Sequence, residues 1–276
     1  MKTVTSVSGG RTSSYMALNF PTQYNIFSLV RIEDPLCAPK DKKLIQYVED
    51  KIQMPFIATA ESDKTLYVLQ QLEQDLGKAI VWVSGDTFEQ VIKRKSNMLP
   101  NRRQRWCTTE MKMVPIFWWC YLNLLEDLED QVFMNIGYRS DEPRRTTDDL
   151  FDYPISCNNF GNKRQNWVKG FEWRTCKTPL KTAGISNPII KEFFINKLKY
   201  DFPVYSNCVG CMNKTEIEIQ EQFYYEPEKM NWFNNQEKLG GNRFNMHITL
   251  EEIKNRKYTP EQILMMESFA TCNCTD

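Results

Sequence analysis

Short apolar strands and amphipathic helices alternate along the first half of the chain. Thr3–Ser8 reads as a strand, and Ser13–Asn19 follows as a helix carrying Tyr15, Met16, Ala17 and Leu18. Asn25–Arg31 predicts a second strand, Asp41–Ile52 a helix, Phe56–Ala60 a third strand and Lys64–Leu76 another helix. Ala79–Val83 is a short apolar strand or the end of a helix hairpin, and Phe88–Arg94 is helical. A strongly apolar helix spans Met111–Leu128, and the strand Gln131–Gly137 feeds a loop over Tyr138–Arg145. Such alternation predicts an α/β fold: a parallel twisted sheet with helices on both faces. Ligands of such sheets sit at the carboxyl ends of the strands. The loops at Ser8-Gly9-Gly10 and Gly137–Arg145 are therefore placed to converge on one ligand.

Beyond this core the pattern changes. Asp148–Arg174 is rich in Asn, Gly and aromatic residues without periodicity, and reads as an irregular loop or lid. Asn187–Lys199 predicts a helix capped near Ser186 with Pro188 in its first turn. From Tyr200 the chain carries cysteines and then turns amphipathic over Thr249–Arg256 and Pro260–Phe269, each opened by a Thr-x-x-Glu/Gln start signal. We expect a core over residues 1–150 and a lid plus mostly helical, cysteine-bearing region over 151–276, packed with it as one unit.

Composition narrows the function classes. Among 276 residues, 41% are hydrophobic and 25% charged, ordinary for a globular protein. Equal numbers of acidic and basic side chains, 35 each, argue against a whole-protein electrostatic grip on nucleic acid, although a local patch remains open. No apolar run reaches the roughly 18 residues of a membrane helix, and no signal-peptide core opens the chain. The expected setting is the cytoplasm, without a membrane partner. There the nine cysteines should not form a disulfide framework. A single histidine, His247, speaks against Ser-His-Asp chemistry and reads as structural.

The chemistry concentrates in a few segments. Ser8-Gly9-Gly10-Arg11-Thr12-Ser13-Ser14 joins a strand to a helix through two glycines, which lets anionic oxygens approach the backbone and the helix start. It lacks the Gly-x-x-x-x-Gly-Lys-Ser/Thr spacing of the Walker loop. Cys208-Val209-Gly210-Cys211 is a CxxC pair able to bind one metal centre from one turn, and Cys272-Asn273-Cys274 is a second close pair. Arg102, Arg103, Arg105, Arg139, Arg144 and Arg145 offer guanidinium forks for phosphate or sulfate, and Lys112 lies one turn after Thr108. Lys93–Lys95 reads as a solvated surface run. If ATP is the substrate, one of Asp141 and Glu142 holds Mg²⁺ or orients these arginines; the alternative is that Glu142 only pairs with Arg144 or Arg145.

These segments resemble one family. Ser8–Ser13 looks like the PP-loop of the phosphoadenosine phosphosulfate (PAPS) reductase family, within the adenine nucleotide alpha-hydrolase, or ATP pyrophosphatase, superfamily. The stretch Leu99-Pro100-Asn101 to Arg105-Trp106-Cys107-Thr108 with Lys112 and Pro115 is similar as well. So are Ile136–Arg145, Pro179-Leu180 with Gly184-Ile185, and Asn207–Cys211. The order matches over roughly three quarters of the chain, closest to phage and bacterial PAPS-reductase-like proteins, some related to the sulfur-handling subunit of DNA phosphorothioation systems.

The resemblance implies an adenine nucleotide (ATP or PAPS) bound by Ser8, Gly9, Gly10, Arg11, Thr12, Ser13, Ser14 and Gly137, with Glu33 near the adenosine. Arg139, Asp141, Glu142, Arg144, Arg145 and Lys112 are the implied catalytic set, with Mg²⁺ if ATP is the substrate. It also implies a [4Fe-4S] cluster on Cys107, Cys208, Cys211 and one of Cys272 or Cys274. Family members with a cluster carry Cys-Cys where this chain has Cys107-Thr108. Structural zinc on Cys208, Cys211, Cys272 and Cys274 stays open beside it. Three activities remain: nucleotide cleavage coupled to sulfur transfer, PAPS reduction by a thiol with release of sulfite, and inactive nucleotide sensing. Thr12 stands where many ATP pyrophosphatases carry Asp, which favours the last; no Glu-Cys-Gly-Ile-His-like tail supports the second. A thiol reductant or sulfur donor protein and self-association into a homo-oligomer are the expected partnerships; nucleic acid is not favoured.

Overall fold

The computed structural model describes residues 1–127, 130–142, 173–206 and 208–269, with the side chains of 267–269 excepted. Five parallel strands form the sheet: β1 (Lys2–Val7), β2 (Tyr24–Ser28), β5 (Val81–Val83), β6 (Val132–Asn135) and β7 (Arg174–Lys177), in the order β5-β2-β1-β6-β7. The period of two is visible in β1. Val4 joins the core on one face with Ile26, Val132 and Met134, while Val7 joins the other with Phe27. Helices α1 (Arg11–Asn19), α2 (Lys42–Ile52) and α3 (Asp63–Leu76) cover the Val7 face through Met16, Val48, Leu66 and Leu69. On the Val4 face lies α6 (Val114–Leu124), through Ile116, Phe117 and Leu124.

The sheet departs from the sequence pattern in three places. The expected strand Asn25–Arg31 breaks after Ser28, and Arg31–Ile32 becomes β3. Phe56–Ala60 shrinks to β4 (Ala58–Thr59), which pairs antiparallel with β3 and stays out of the main sheet. The break has a local cause: Ser84 Oγ donates to the Leu29 carbonyl at 3.0 Å, and Thr59 Oγ1 takes the Val30 carbonyl at 2.8 Å, so the chain changes partners there. The third departure is β7, which lies at the end of the segment read as a lid and in the second of the two expected regions. The rest of Asp148–Arg174, up to residue 172, lies outside the described residues.

The helix expected over Met111–Leu128 starts and ends earlier. A short α5 (Trp106–Thr108) runs into a π-helical stretch at Thr109–Met113 and then into α6, which stops at Leu124. The later helices are α7 (Pro179–Thr182), α8 (Asn187–Phe193, continuing as a π turn over Phe194–Leu198), α9 (Glu216–Tyr225), α10 (Pro227–Leu239), α11 (Leu250–Asn255) and α12 (Pro260–Phe269). Sequence periodicity missed α9 and α10. With α11 and α4 (Phe88–Arg94) they enclose a third core beyond the sheet, centred on Phe88. Its ring meets Trp106, Trp232 and Phe233 edge-on at centroid distances of 5.5, 5.3 and 5.7 Å. Among the described residues, no helix is long and apolar enough to cross a membrane.

Candidate functional site

The strand order reverses between β1 and β6, and both chain segments leaving that point are glycine-bearing. After β1, Gly9 takes φ +73° with its α-carbon against α3: a Cβ there would lie 2.6 Å from Thr65 Cγ2 and 3.1 Å from the Thr65 carbonyl oxygen. Glycine is required twice over, for the turn and for the contact. The loop closes on itself. Ser8 N–H donates to Ser13 Oγ at 3.1 Å, and Ser13 Oγ donates to the Gly10 carbonyl at 3.2 Å. Thr12, Ser13 and Ser14 are buried, and the Arg11 guanidinium stacks 5.1 Å over the Phe202 ring.

After β6, the buried Arg139 ties the two loops together. Its guanidinium donates to Thr12 Oγ1 and Asp141 Oδ1, both at 3.1 Å, and pairs with Glu142 Oε1 at 3.3 Å. Glu142 Oε2 also accepts the Arg139 N–H at 2.9 Å, while Asp141 Oδ2 accepts the Asn187 N–H at 3.2 Å. The carboxylates thus orient Arg139. Arg144 and Arg145 lie outside the described residues.

Beneath these loops is a cavity of about 200 Å³ at the ends of β1, β2 and β6, closed by the α5–α6 segment. Ser8 reaches it from the glycine loop; Gly9 to Ser14 do not line it. Among the described residues, three cationic side chains do, Arg105, Lys112 and Arg174, and no carboxylate lines it. Arg105 Nε is buried with no hydrogen-bond partner among the described residues, and the buried Arg174 guanidinium lies 4.5 Å over the Phe117 ring. Cationic donors beside apolar walls such as Phe27 and Ile136 suit an amphiphilic anion, charged at one end and flat and apolar at the other.

A second, smaller cavity of about 40 Å³ adjoins the first. Cys107, Cys208 and Cys211, distant in sequence, all line it, together with Gly210, Thr108 and Lys112. Thr108 and Lys112 thus wall both cavities. The CxxC segment is a tight turn in which Cys211 N–H donates to the Cys208 carbonyl at 3.0 Å, and Val209 N–H donates to the Ala60 carbonyl at 2.8 Å. Gly210 sits against Phe233 so closely that a Cβ would lie 2.3 Å from the ring. Lys214 Nζ donates to the Cys208 carbonyl at 2.6 Å. Arg102 Nε donates to the Met212 carbonyl at 3.1 Å; Arg102 therefore braces this turn, although the sequence offered it to an anion.

Under the cysteine turn lies Glu61, 1% exposed. Its Oε1 is 3.3 Å from Lys112 Nζ and accepts from the Cys208 thiol at 3.4 Å, while its buried Oε2 has no hydrogen-bond partner among the described residues. Sequence reasoning missed Glu61 and Arg174. Glu61 looks like an ordinary acidic residue before a helix, and β7 is too short to show a period. The other described cysteines differ in kind: Cys37, Cys120 and Cys176 are buried, and burial pushes the first two thiols up to about 12 and also raises the third.

Glu33 stands away from both cavities, accepting from Thr87 Oγ1 at 2.6 Å. Arg94 and Lys95 pair with Glu110 at 3.0 and 2.7 Å, as a surface run would. Cys272 and Cys274 lie outside the described residues. Among those described, no group of three or more His, Cys, Asp or Glu side chains forms a site for a metal ion. Three thiols on one cavity are nevertheless the donor type of an iron–sulfur centre, whose cage spreads its ligands wider than one ion does. No family model matches the chain, and no curated protein or solved structure matches it.

Proposed function

We propose that this chain is an enzyme of the PAPS-reductase-like, PP-loop type that binds an adenine nucleotide in the larger cavity and handles sulfur at the smaller one. The observation that carries this reading is the shared wall: Thr108 and Lys112 line both the cationic cavity and the cavity of the three cysteines. Arg105, Lys112 and Arg174 take the phosphate or phosphosulfate end, and their fixed charge stabilises negative charge developing on the leaving group. The base and ribose lie along Phe27, Ile116 and Ile136. Arg139, held by Asp141 and Glu142, keeps the two loops at the spacing the ligand needs. Cys107, Cys208 and Cys211 would hold three corners of a [4Fe-4S] cluster, with Cys272 or Cys274 as the fourth ligand. When bound, that group supplies electron transfer or a sulfur-binding iron; Lys112 holds its neighbourhood electropositive.

The test is anaerobic purification followed by iron and acid-labile sulfide analysis, then calorimetry with ATP and with PAPS. We expect a brown protein absorbing at about 400 nm, as thiolate-bound iron does, and saturable binding of one nucleotide. Pyrophosphate released from ATP selects nucleotide cleavage coupled to sulfur transfer; sulfite released from PAPS selects reduction. Stoichiometric zinc in place of iron, or no heat with either nucleotide, overturns the proposal.

A further inference from the structure

We infer that Glu61 is a positioning residue serving both cavities, an outer-sphere carboxylate that holds Lys112 on one side and places its negative charge against the Cys208 sulfur on the other. This rests on the iron–sulfur reading above. Glu61 leaves the two-residue strand β4, with its N–H donating to Thr59 Oγ1 at 3.1 Å and its carbonyl accepting from Lys229 Nζ at 2.6 Å. The backbone is thus anchored without help from the side chain. The carboxylate itself is almost wholly enclosed, and only one of its oxygens finds a partner among the described residues. Burying a charge so incompletely paired is costly, and an apolar side chain of similar volume would serve the packing as well or better. What the carboxylate supplies is placement. One oxygen meets both the cation that borders the anion cavity and the sulfur of the first CxxC cysteine. In the metal-free chain the Cys208 thiol donates to that oxygen; once iron takes the place of the thiol proton, Glu61 acts through Lys112 and through its own charge beside the centre, tuning it without touching it.

The experiment compares the anaerobically reconstituted wild-type chain with Glu61→Gln and Glu61→Asp. Iron per chain, visible spectrum and midpoint potential are measured at one pH. Glu61→Gln keeps shape and removes charge. We expect it to fold, to take up iron, and to show a higher midpoint potential, because one negative charge beside the centre is gone. Glu61→Asp keeps the charge on a shorter arm and should fall between the two. A Glu61→Gln protein with wild-type potential and spectrum overturns the inference. Should Glu61→Gln not fold, an unchanged spectrum and potential in Glu61→Asp overturns it instead. A stability double-mutant cycle between Glu61→Gln and Cys208→Ala, run on metal-free protein, separates this claim from the reading beneath it. Wild-type protein without iron overturns that reading, while non-additive losses in the cycle still support the Glu61–Cys208 contact; additive losses overturn the contact even where the cluster is present.

Discussion

The larger cavity is made by the sheet, whereas the smaller one is made by segments that nothing but packing brings together. Ser8, Ser28 and Ile136 reach the first simply because β1, β2 and β6 are neighbours whose carboxyl ends point the same way. Cys107 meets Cys208 and Cys211 only because Phe88, Trp106, Phe233 and Phe244 form a core beyond the sheet edge, on which both segments rest. The first site is therefore a consequence of topology and tolerates change in its walls. The second depends on individual contacts, and single substitutions should dismantle it.

The largest effect should follow from removing the charge that the two cavities share. Lys112→Met takes the Lys112 ammonium from the buried Glu61 carboxylate; because Lys112 is partly exposed, the cost should be about 3 kcal/mol, the low end for a buried pair broken on one side. Urea unfolding of the metal-free variant measures it, and adding Glu61→Gln should restore most of the loss. If the double variant is no more stable than Lys112→Met alone, the pair does not join the cavities as described. Gly210→Ala is next. Its methyl group would meet Phe233, so the turn or the ring must shift; overpacking of this kind costs about 1–3 kcal/mol. Loss of iron binding with nucleotide affinity intact would show that the two cavities can be broken separately, and parallel loss of both would erase the distinction.

The asymmetry also explains what could be read beforehand. Alternating Val4 and Val7, the glycine turn and the helix patterns of α2, α3 and α4 are local signals, and the parallel sheet followed from them. The glycine loop follows the carboxyl end of β1, as the alternating pattern implies. In the structure Ser13 closes the loop and Thr12 receives Arg139, while Ser8 lines the larger cavity. No sequence signal tells a serine that caps its own turn from one that meets a phosphate. Convergence of Cys107 with the CxxC turn came from family resemblance alone, since their separation in the chain carries no period. Glu61 was illegible for a related reason: its meaning lies in Lys112 and Cys208, both far away in sequence.

The cysteines sharpen the comparison through pH. Burial lifts the thiols of Cys37 and Cys120 from the ordinary 9.0 to about 12, so the folded state keeps protons that the unfolded chain gives up. Below about pH 9 both states are protonated and nothing is lost. From there towards pH 12 the unfolded state is favoured increasingly, and stability falls by up to about 1.4 kcal/mol per thiol for each unit. Above about pH 10, Tyr47 and Tyr200, raised by burial and by Glu73 and Asp75, act in the same direction. Melting between about pH 9 and pH 10 should show this slope, flattened in Cys37→Ala. Alkylation at about pH 8, read by mass spectrometry on metal-free protein, should label the partly exposed Cys107, Cys208 and Cys211 before Cys37, Cys120 and Cys176. Uniform labelling would mean that the two classes are not distinct.

The smallest effect lies at the rim of the cysteine cavity and asks how local its construction is. Thr87 caps α4 with a reciprocal pair: its Oγ1 accepts the Gln90 N–H at 3.3 Å, and Gln90 Oε1 accepts the Thr87 N–H at 3.0 Å. The next residue is Phe88, whose ring carries the aromatic core and lines the cavity. Thr87→Ala removes the cap and the hydroxyl held by Glu33, at a cost of about 1 kcal/mol. A helix end that frays lets Phe88 move, and the Trp106 ring rests against Phe88 at 5.5 Å one residue before Cys107. Tryptophan fluorescence and iron retention in Thr87→Ala should therefore change together, while nucleotide affinity, which the proposed function assigns to the sheet ends, stays within twofold. A variant that loses nucleotide affinity while keeping iron would reverse the assignment of rigidity, placing the fragile packing under the larger cavity and the robust one under the cysteines.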